Sequence, residues 1–354
     1  MDAFITIDTM YIHMKYPNKD VFEKWYFHVK DIDSRKVNQG IVVGDYVVKG
    51  GGSGYKVSVW FHDARVFLTD QVDEKCGEGY GMGIWIQLGP KFLLEHINNL
   101  QHAVNEFLAD VGIQGDYPIS ITRIDIAVDL LGFSLQDQNI QEWKEGWVGR
   151  SKPSGVFYNS RTGKLETIYV GSRKSPVFLR IYDKLAQSLV DGDYGYWKDV
   201  WKGFEGPVTR IEWEVKPKDG NFSNDLKEFD RFNGFSVREL LNYLLDWGRL
   251  CIPDSADVNR NRWEDSSFWK EVRELVKEFC KEINWPSSRY GKEFHGVSVA
   301  YIRSVSGTIS GAMARLGGNE PDVVGLFNGL AENGEPLEKI NKKAKLKAEI
   351  YKRL

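Results

Sequence analysis

The chain has 354 residues, 42% of them hydrophobic and 13% aromatic, which is the composition of a core-forming protein and excludes a disordered one. Its 47 Lys and Arg against 50 Asp and Glu give a net charge of −3, so any nucleic-acid partner must be met by a local patch. Cys76, Cys251 and Cys280 form no Cys-x-x-Cys pair, which argues against structural zinc or a disulfide framework, and no run approaches a membrane-spanning length. The protein is expected to be soluble, cytoplasmic and free of membrane contact, with about two domains.

Taken in chain order, residues 3–14 (Phe4, Ile5, Ile7, Tyr11, Ile12) read as a strand that leaves no room for an upstream DNA-reading helical domain, and residues 20–30 as a short aromatic helix. Residues 42–48, 55–61 and 83–88 follow as strands separated by glycine-rich turns, an antiparallel meander. Gly50-Gly-Gly-Ser-Gly54 lacks the Gly-Lys-Ser/Thr ending of a phosphate loop and is a hairpin turn. Leu93, Ile97, Leu100, Val104, Phe107, Leu108 and Val111 recur at helical spacing, predicting a helix over 91–111 stopped by Gly112. A strand at 121–130, a helix at 135–147 and strands at 155–158, 166–170 and 177–184 come next.

The polar residues of three strands carry the chemistry. In Val177-Phe-Leu-Arg-Ile-Tyr-Asp-Lys184, alternation puts Leu179 and Ile181 on one face and Arg180, Tyr182 and Lys184 on the other. A tyrosine hydroxyl flanked by two cations is a candidate nucleophile for a phosphodiester, the cations favouring phenolate and holding phosphate. In Arg123-Ile-Asp-Ile-Ala-Val-Asp129 and Arg210-Ile-Glu-Trp-Glu-Val-Lys216 the same alternation gathers Arg123, Asp125 and Asp129, and Arg210, Glu212, Glu214 and Lys216. One such strand is ordinarily a solvated, salt-bridged surface. Three as neighbours would set carboxylates about 4 Å apart, repelling by roughly 4 kcal/mol at an effective dielectric of ~20. A bound divalent cation would relieve that repulsion, and carboxylate oxygen ligands suit Mg²⁺ or Mn²⁺. Tyr169, in the Tyr169-Val-Gly-Ser-Arg-Lys-Ser175 stretch, is the second candidate nucleophile, and Arg173-Lys174 beside it suits phosphate contact as well as it suits a charged turn.

Beyond Lys216 the composition is helical. Ser236-Val-Arg-Glu239 reads as a capping box opening a helix to about 250. A Pro/Asp/Asn-rich linker at 253–262 leads to a helix at about 266–283, ended by Trp285-Pro286, and another follows at 298–316. The tail from 336 to 354 holds seven Lys and Arg against two Glu, a solvated helix face or a DNA-backbone contact. The fold class is therefore α+β: a central, mostly antiparallel sheet with helices on its apolar face over 1–220, then a smaller helical region over 221–354. The six histidines (His13, His28, His62, His96, His102, His295) include no His-x-His pair, and there is no His-Glu-x-x-His or Gly-x-Ser-x-Gly. His62-Asp63 is the pair closest to a base, and acid, base and metal work falls mainly to carboxylates and tyrosine.

Arg123-Ile-Asp-Ile-Ala-Val-Asp129, Thr167-Ile-Tyr-Val-Gly-Ser-Arg-Lys-Ser175, Arg180-Ile-Tyr-Asp-Lys184 and Arg210-Ile-Glu-Trp-Glu-Val-Lys216 together resemble the Rep-trans family, and the Ser267-Phe-Trp-Lys270 region is similar to its relaxases. That family comprises rolling-circle replication initiators of Gram-positive plasmids and some filamentous phages, and relaxases of integrative conjugative elements. The resemblance spans roughly residues 40–315. It implies a bacterial DNA-nicking enzyme in which a tyrosine, here Tyr182, attacks one origin strand and becomes joined to its 5′-phosphate, freeing a 3′-hydroxyl. It implies a divalent metal on Asp125 and Glu212, with Glu214 and Asp129 as further ligands. Arg180 and Lys184 would activate the phenol, and Arg173, Lys174, Arg123 and Arg210 would hold the DNA backbone. The implied partners are origin DNA, single-stranded or in a supercoiled cruciform, a helicase, and a second copy of the chain. A noncatalytic DNA-binding regulator and a metal-dependent hydrolytic nuclease are the rival readings. The nicking reading requires the phenol, the acids and the cations to converge on one wet side of one sheet, whereas a hydrolase would keep the acids and make Tyr182 dispensable.

Overall fold

In a computed structural model, residues 2–15, 40–43, 46–69, 82–110, 113, 118–220 and 222–282 are described. The helices expected at 20–30 and 298–316, the loop at 77–81, Gly112 and the basic tail lie outside them. In chain order the elements begin with strands β1 (Asp2–Met14), β2 (Ile41–Val43), β3 (Tyr46–Gly50), β4 (Val57–Phe61), β5 (Ala64–Leu68) and β6 (Ile84–Leu88). Helices α1 (Pro90–His96) and α2 (Leu100–Asp110) follow, then β7 (Ile119–Leu131), α3 (Ile140–Gly146), β8 (Trp147–Gly149), β9 (Pro153–Tyr158), β10 (Leu165–Gly171) and β11 (Val177–Asp183). The remainder is α4 (Lys184–Asp191), α5 (Tyr194–Val200), β12 (Val208–Val215), α6 (Asn224–Lys227), α7 (Gly234–Trp247), β13 (Gly248–Leu250) and α8 (Ser267–Glu282).

Eleven strands form one sheet in the order β2-β3-β4-β5-β6-β1-β7-β12-β11-β10-β9, and β8 pairs with β13 in a separate ribbon. Every described pairing is antiparallel. The meander β2 to β6 is sequential, and β1 closes it against β7, so the three strands of polar interest, with β10, become neighbours. Ile5, Ile12, Ile86, Ile124, Val128, Leu179, Ile181 and Ile211 present the apolar face to α2, α7 and α8, whose Leu100, Val104, Phe107, Leu240, Leu244, Trp269 and Val272 fill the same core. This is the expected antiparallel sheet with helices on its apolar face.

Local chemistry explains where the elements depart from periodicity. The helix expected over 91–111 is interrupted by a 3₁₀ turn at Ile97–Asn99, where two asparagines offer the backbone side-chain alternatives. The segment 42–48 is a hairpin rather than one strand, and β5 is a strand that weak alternation concealed. Helix α7 starts earlier than expected: Asn233, not Ser236, is the N-cap, accepting hydrogen bonds from the backbone N–H of Phe235 and Ser236. The division expected at residue 220 does not mark the end of the core, because Leu226, Phe229, Val237 and Trp269 beyond it lie in the same buried cluster as the sheet.

Helices α4 and α5 follow β11 directly and fold back over the polar face. Asp183 caps α4 by accepting from the Ala186 N–H at 2.8 Å, and Gly192, at φ +75°, ends it in the left-handed region that favours glycine. Trp197, Trp201 and Val208 form a second buried cluster with Phe4 and Leu185.

Candidate active site

Cross-strand register brings the expected residues together. Arg180 lies opposite Glu212, Tyr182 opposite Arg210, and Arg210 opposite Asp129. Opposite charges face each other directly at two of these positions, the favourable arrangement for a sheet. Asp125 and Glu214 are also directly opposed, a like-charge pair. Arg123 resolves it: its Nε donates to Asp125 at 2.7 Å, and its Nη2 lies 3.0 Å from Glu214 Oε2. Lys216 adds a second cation 3.2 Å from Glu214.

The face is not wet. Asp125, Asp129, Glu212, Glu214 and Arg210 are all buried, and β12 is buried along its whole length. Arg210 is 0% exposed, donates to both oxygens of Asp129, pairs with Asp8, and lies 4.3 Å below the Trp197 ring. Trp201 Nε1 donates to Asp129 Oδ2 at 2.9 Å, completing the shell around that carboxylate. The roles expected for these two are thereby corrected: Arg210 offers no surface to a phosphate, and Asp129 has no oxygen free for a metal. Asp8 is the residue that sequence reading missed. It stands beside a register shift in β1, between Ile7 and Thr9, and the signal was an acid in the middle of a largely apolar strand. Burial opposes its charge, and Arg210 and Lys184 overcome that, holding the carboxyl below the ordinary range.

Tyr182 is half-buried and points its hydroxyl at Glu212, donating to Oε2 at 2.7 Å. The other oxygen of Glu212 accepts from Arg180. The expected activation by flanking cations is therefore corrected. Burial, then the Glu212 carboxylate, push the phenol well above its ordinary value of 10, against the pull of Arg210. Lys184 is engaged by other groups. It opens α4, is buried, donates to Gln187 at 2.6 Å, and sits 4.3 Å from the Trp197 ring. Burial, then Arg210, lower its ammonium to about 8.

Arg180 and Tyr182 line an open groove of about 360 Å³ between β10, β11 and α4, with Thr167, Tyr169 and Gln187. Tyr169 lies opposite Arg180 and packs against Phe157, which is 52% exposed, and Phe178. Arg173 and Lys174 are exposed in the turn after β10, and Lys216 donates to the Arg173 carbonyl.

The carboxylates as placed do not fit a divalent cation. Asp125 is forked by Arg123, and Glu212 is taken by Arg180 and Tyr182. Among the described residues no group of three or more His, Cys, Asp and Glu could hold a metal ion. The repulsion that suggested a metal is relieved by guanidinium groups instead. Burial, with Glu212 adding to it, raises the Asp125 carboxyl above its ordinary range although Arg123 opposes this.

No family model matches the chain, and no curated protein matches it. Among solved structures it is similar to a rolling-circle replication initiator protein from Geobacillus stearothermophilus, with 18% identity and a TM-score of 0.47, covering 78% of this chain and 97% of that one. No helix among the described residues is long and apolar enough to cross a membrane.

Proposed function

We propose that this chain is a tyrosine-dependent DNA nicking and joining enzyme of the Rep-trans type, acting at a replication or transfer origin. The observation that carries the reading is the Tyr182–Glu212–Arg180 constellation, in which Tyr182 and Arg180 line a groove and the buried Glu212 carboxylate bonds both. A nucleophile bonded to a base that a third group orients is the general form of covalent catalysis. The resemblance of four motifs to that family adds to it.

The raised phenol pKa decides how attack proceeds. Phenolate is not present at rest, so the proton leaves as the bond forms, and Glu212 Oε2 is placed to take it. Tyr182 Oη then attacks phosphorus, the bond from phosphorus to the 3′-oxygen breaks, and that oxygen takes a proton from solvent in the groove. Arg180, held by Glu212 at the groove wall, neutralises charge on the phosphate oxygens. The 5′-phosphotyrosine retains the bond energy, so a 3′-hydroxyl can reverse the step without ATP. Arg173 and Lys174, exposed beyond the end of β10, are positioned for backbone phosphates, and Tyr169 for stacking a base.

The test is origin oligonucleotide labelled at its 3′ end, incubated with protein in Mn²⁺ and run on a denaturing gel, conditions under which a metal-dependent hydrolase would also cut. The expected result is label attached to protein, lost in Tyr182→Phe and kept in Tyr169→Phe. Adduct retained by Tyr182→Phe, cutting without attachment, or binding without cutting each overturns the assignment. The last two outcomes select the hydrolase and the regulator.

A further inference from the structure

The face that carries Tyr182 continues past the paired charges onto the other half of the sheet, and its chemistry changes there. Register sets Trp60 opposite Arg65, Phe67 opposite Trp85, and Tyr11 opposite Arg123, so these side chains stand on one face. The Trp85 ring lies 5.2 Å from Tyr11, 5.7 Å from Phe67 and 6.2 Å from Tyr55. The guanidinium of Arg65 sits 3.6 Å over Trp60, with Lys49 Nζ 4.1 Å from the same ring. The aromatic rings are half-buried, whereas the alternate residues Val66, Ile84, Ile86 and Ile12 are sealed in the core on the opposite face.

The cations distinguish this row from a hydrophobic dimer patch. Neither Arg65 nor Lys49 has a carboxylate partner among the described residues, although Arg123, Arg180 and Arg210 on the same face all do. The Nε of Arg65 is buried without a hydrogen-bond partner among the described residues. Cations without an ion pair among the described residues, interleaved with aromatic rings, suit a ligand that offers anionic phosphates and stackable π-faces at once. Duplex DNA hides its base faces, whereas a single strand exposes them. Arg123 joins the two halves, because its guanidinium reaches Asp125 and also lies 5.1 Å from the Tyr11 ring. From β4 to β11 the face crosses six strand spacings, roughly 29 Å at ~4.8 Å each.

We propose that Tyr11, Tyr55, Trp60, Phe67 and Trp85, with Lys49 and Arg65, form a track that binds single-stranded DNA and leads it to the Tyr182 groove. The track rests on the nicking reading for its purpose but is tested apart from it. Fluorescence anisotropy of a labelled single-stranded oligonucleotide is read with the full chain carrying Tyr182→Phe, so that no strand is cut. In that background Trp85→Ala raises Kd by roughly ten-fold or more, the ordinary effect of losing one stacking ring. Trp85→Phe, which keeps a ring, restores most of the affinity. Arg65→Ala weakens binding several-fold and lowers the slope of log Kd against log salt by about one contact.

Circular dichroism establishes that each variant is folded. Unchanged single-strand binding by Trp85→Ala overturns the track, as does equal loss in Trp85→Ala and Trp85→Phe, which marks a structural role. Covalent adduct from protein whose single-strand binding ignores these residues sinks the track and leaves the nicking reading standing. Ring-dependent binding without adduct from the parent chain does the reverse.

Discussion

One sheet face has two halves that handle polar groups in opposite ways. On β7 and β12 the acids are buried and each is met by an arginine, with helices α4 and α5 sealing one end. On β1, β4, β5 and β6 the same pleat carries half-buried rings, and the cations Arg65 and Lys49 lack acidic partners among the described residues. The difference teaches where free energy is stored. A buried charge network is costly to break because each lost partner strands a charge in a low dielectric. An open row of rings contributes little to folding and keeps its binding capacity for a ligand.

The comparison fails if the two halves respond alike to mutation. The largest expected effect is Arg210→Ala, which leaves the buried Asp129 and the half-buried Asp8 without the Arg210 guanidinium and costs about 3–5 kcal/mol. Arg65→Ala, on the open half, stays within about 1 kcal/mol. Urea unfolding of both variants makes the measurement, and equal losses would erase the distinction.

Lys184 gives the next effect. Its folded-state pKa is depressed from 10.5 to about 8, so between those values the unfolded chain binds more protons than the native one, and stability rises with pH. The window closes near pH 10, where the raised phenols of Tyr182, Tyr11 and Tyr55 reverse the slope. Wild type therefore gains up to about 3 kcal/mol between pH 8 and 10, and Lys184→Met shows no such gain. Parallel pH profiles of the two proteins would refute the burial of that ammonium.

Tyr182→Phe is expected to cost about 1–2 kcal/mol, since it removes a donor from the buried Glu212 carboxylate while Arg180 remains. Calorimetry of this variant also guards the nicking assay against mere unfolding. Salt has the smallest effect on the fold. Raising ionic strength leaves thermal stability nearly unchanged, because buried pairs are poorly screened, while single-strand binding falls steeply. A melting temperature as salt-sensitive as the binding would mean that the charges on β7, β12 and β11 are solvated after all.

Period-2 alternation alone was enough to assign β7, β11 and β12, and to gather Asp125, Glu212 and Arg180 on one side. Strict alternation of Ile and Val with charged residues has one reading, because a strand's two faces are fixed by its own geometry. Side-chain type also foretold the meander, since glycine turns between short apolar runs leave few alternatives. What faced that polar side was a different matter. Helices α4 and α5 fold onto it from the next stretch of chain, and nothing local to β12 records that Trp197 and Trp201 will roof Arg210 and Asp129. The pairing of Arg123 with both Asp125 and Glu214, and the use of Asp8, likewise depend on register between strands distant in sequence. Sequence determines which groups share a face; only the packed sheet determines which of them keep their charge, their proton and their access to a ligand, because those depend on distance and dielectric rather than on order along the chain.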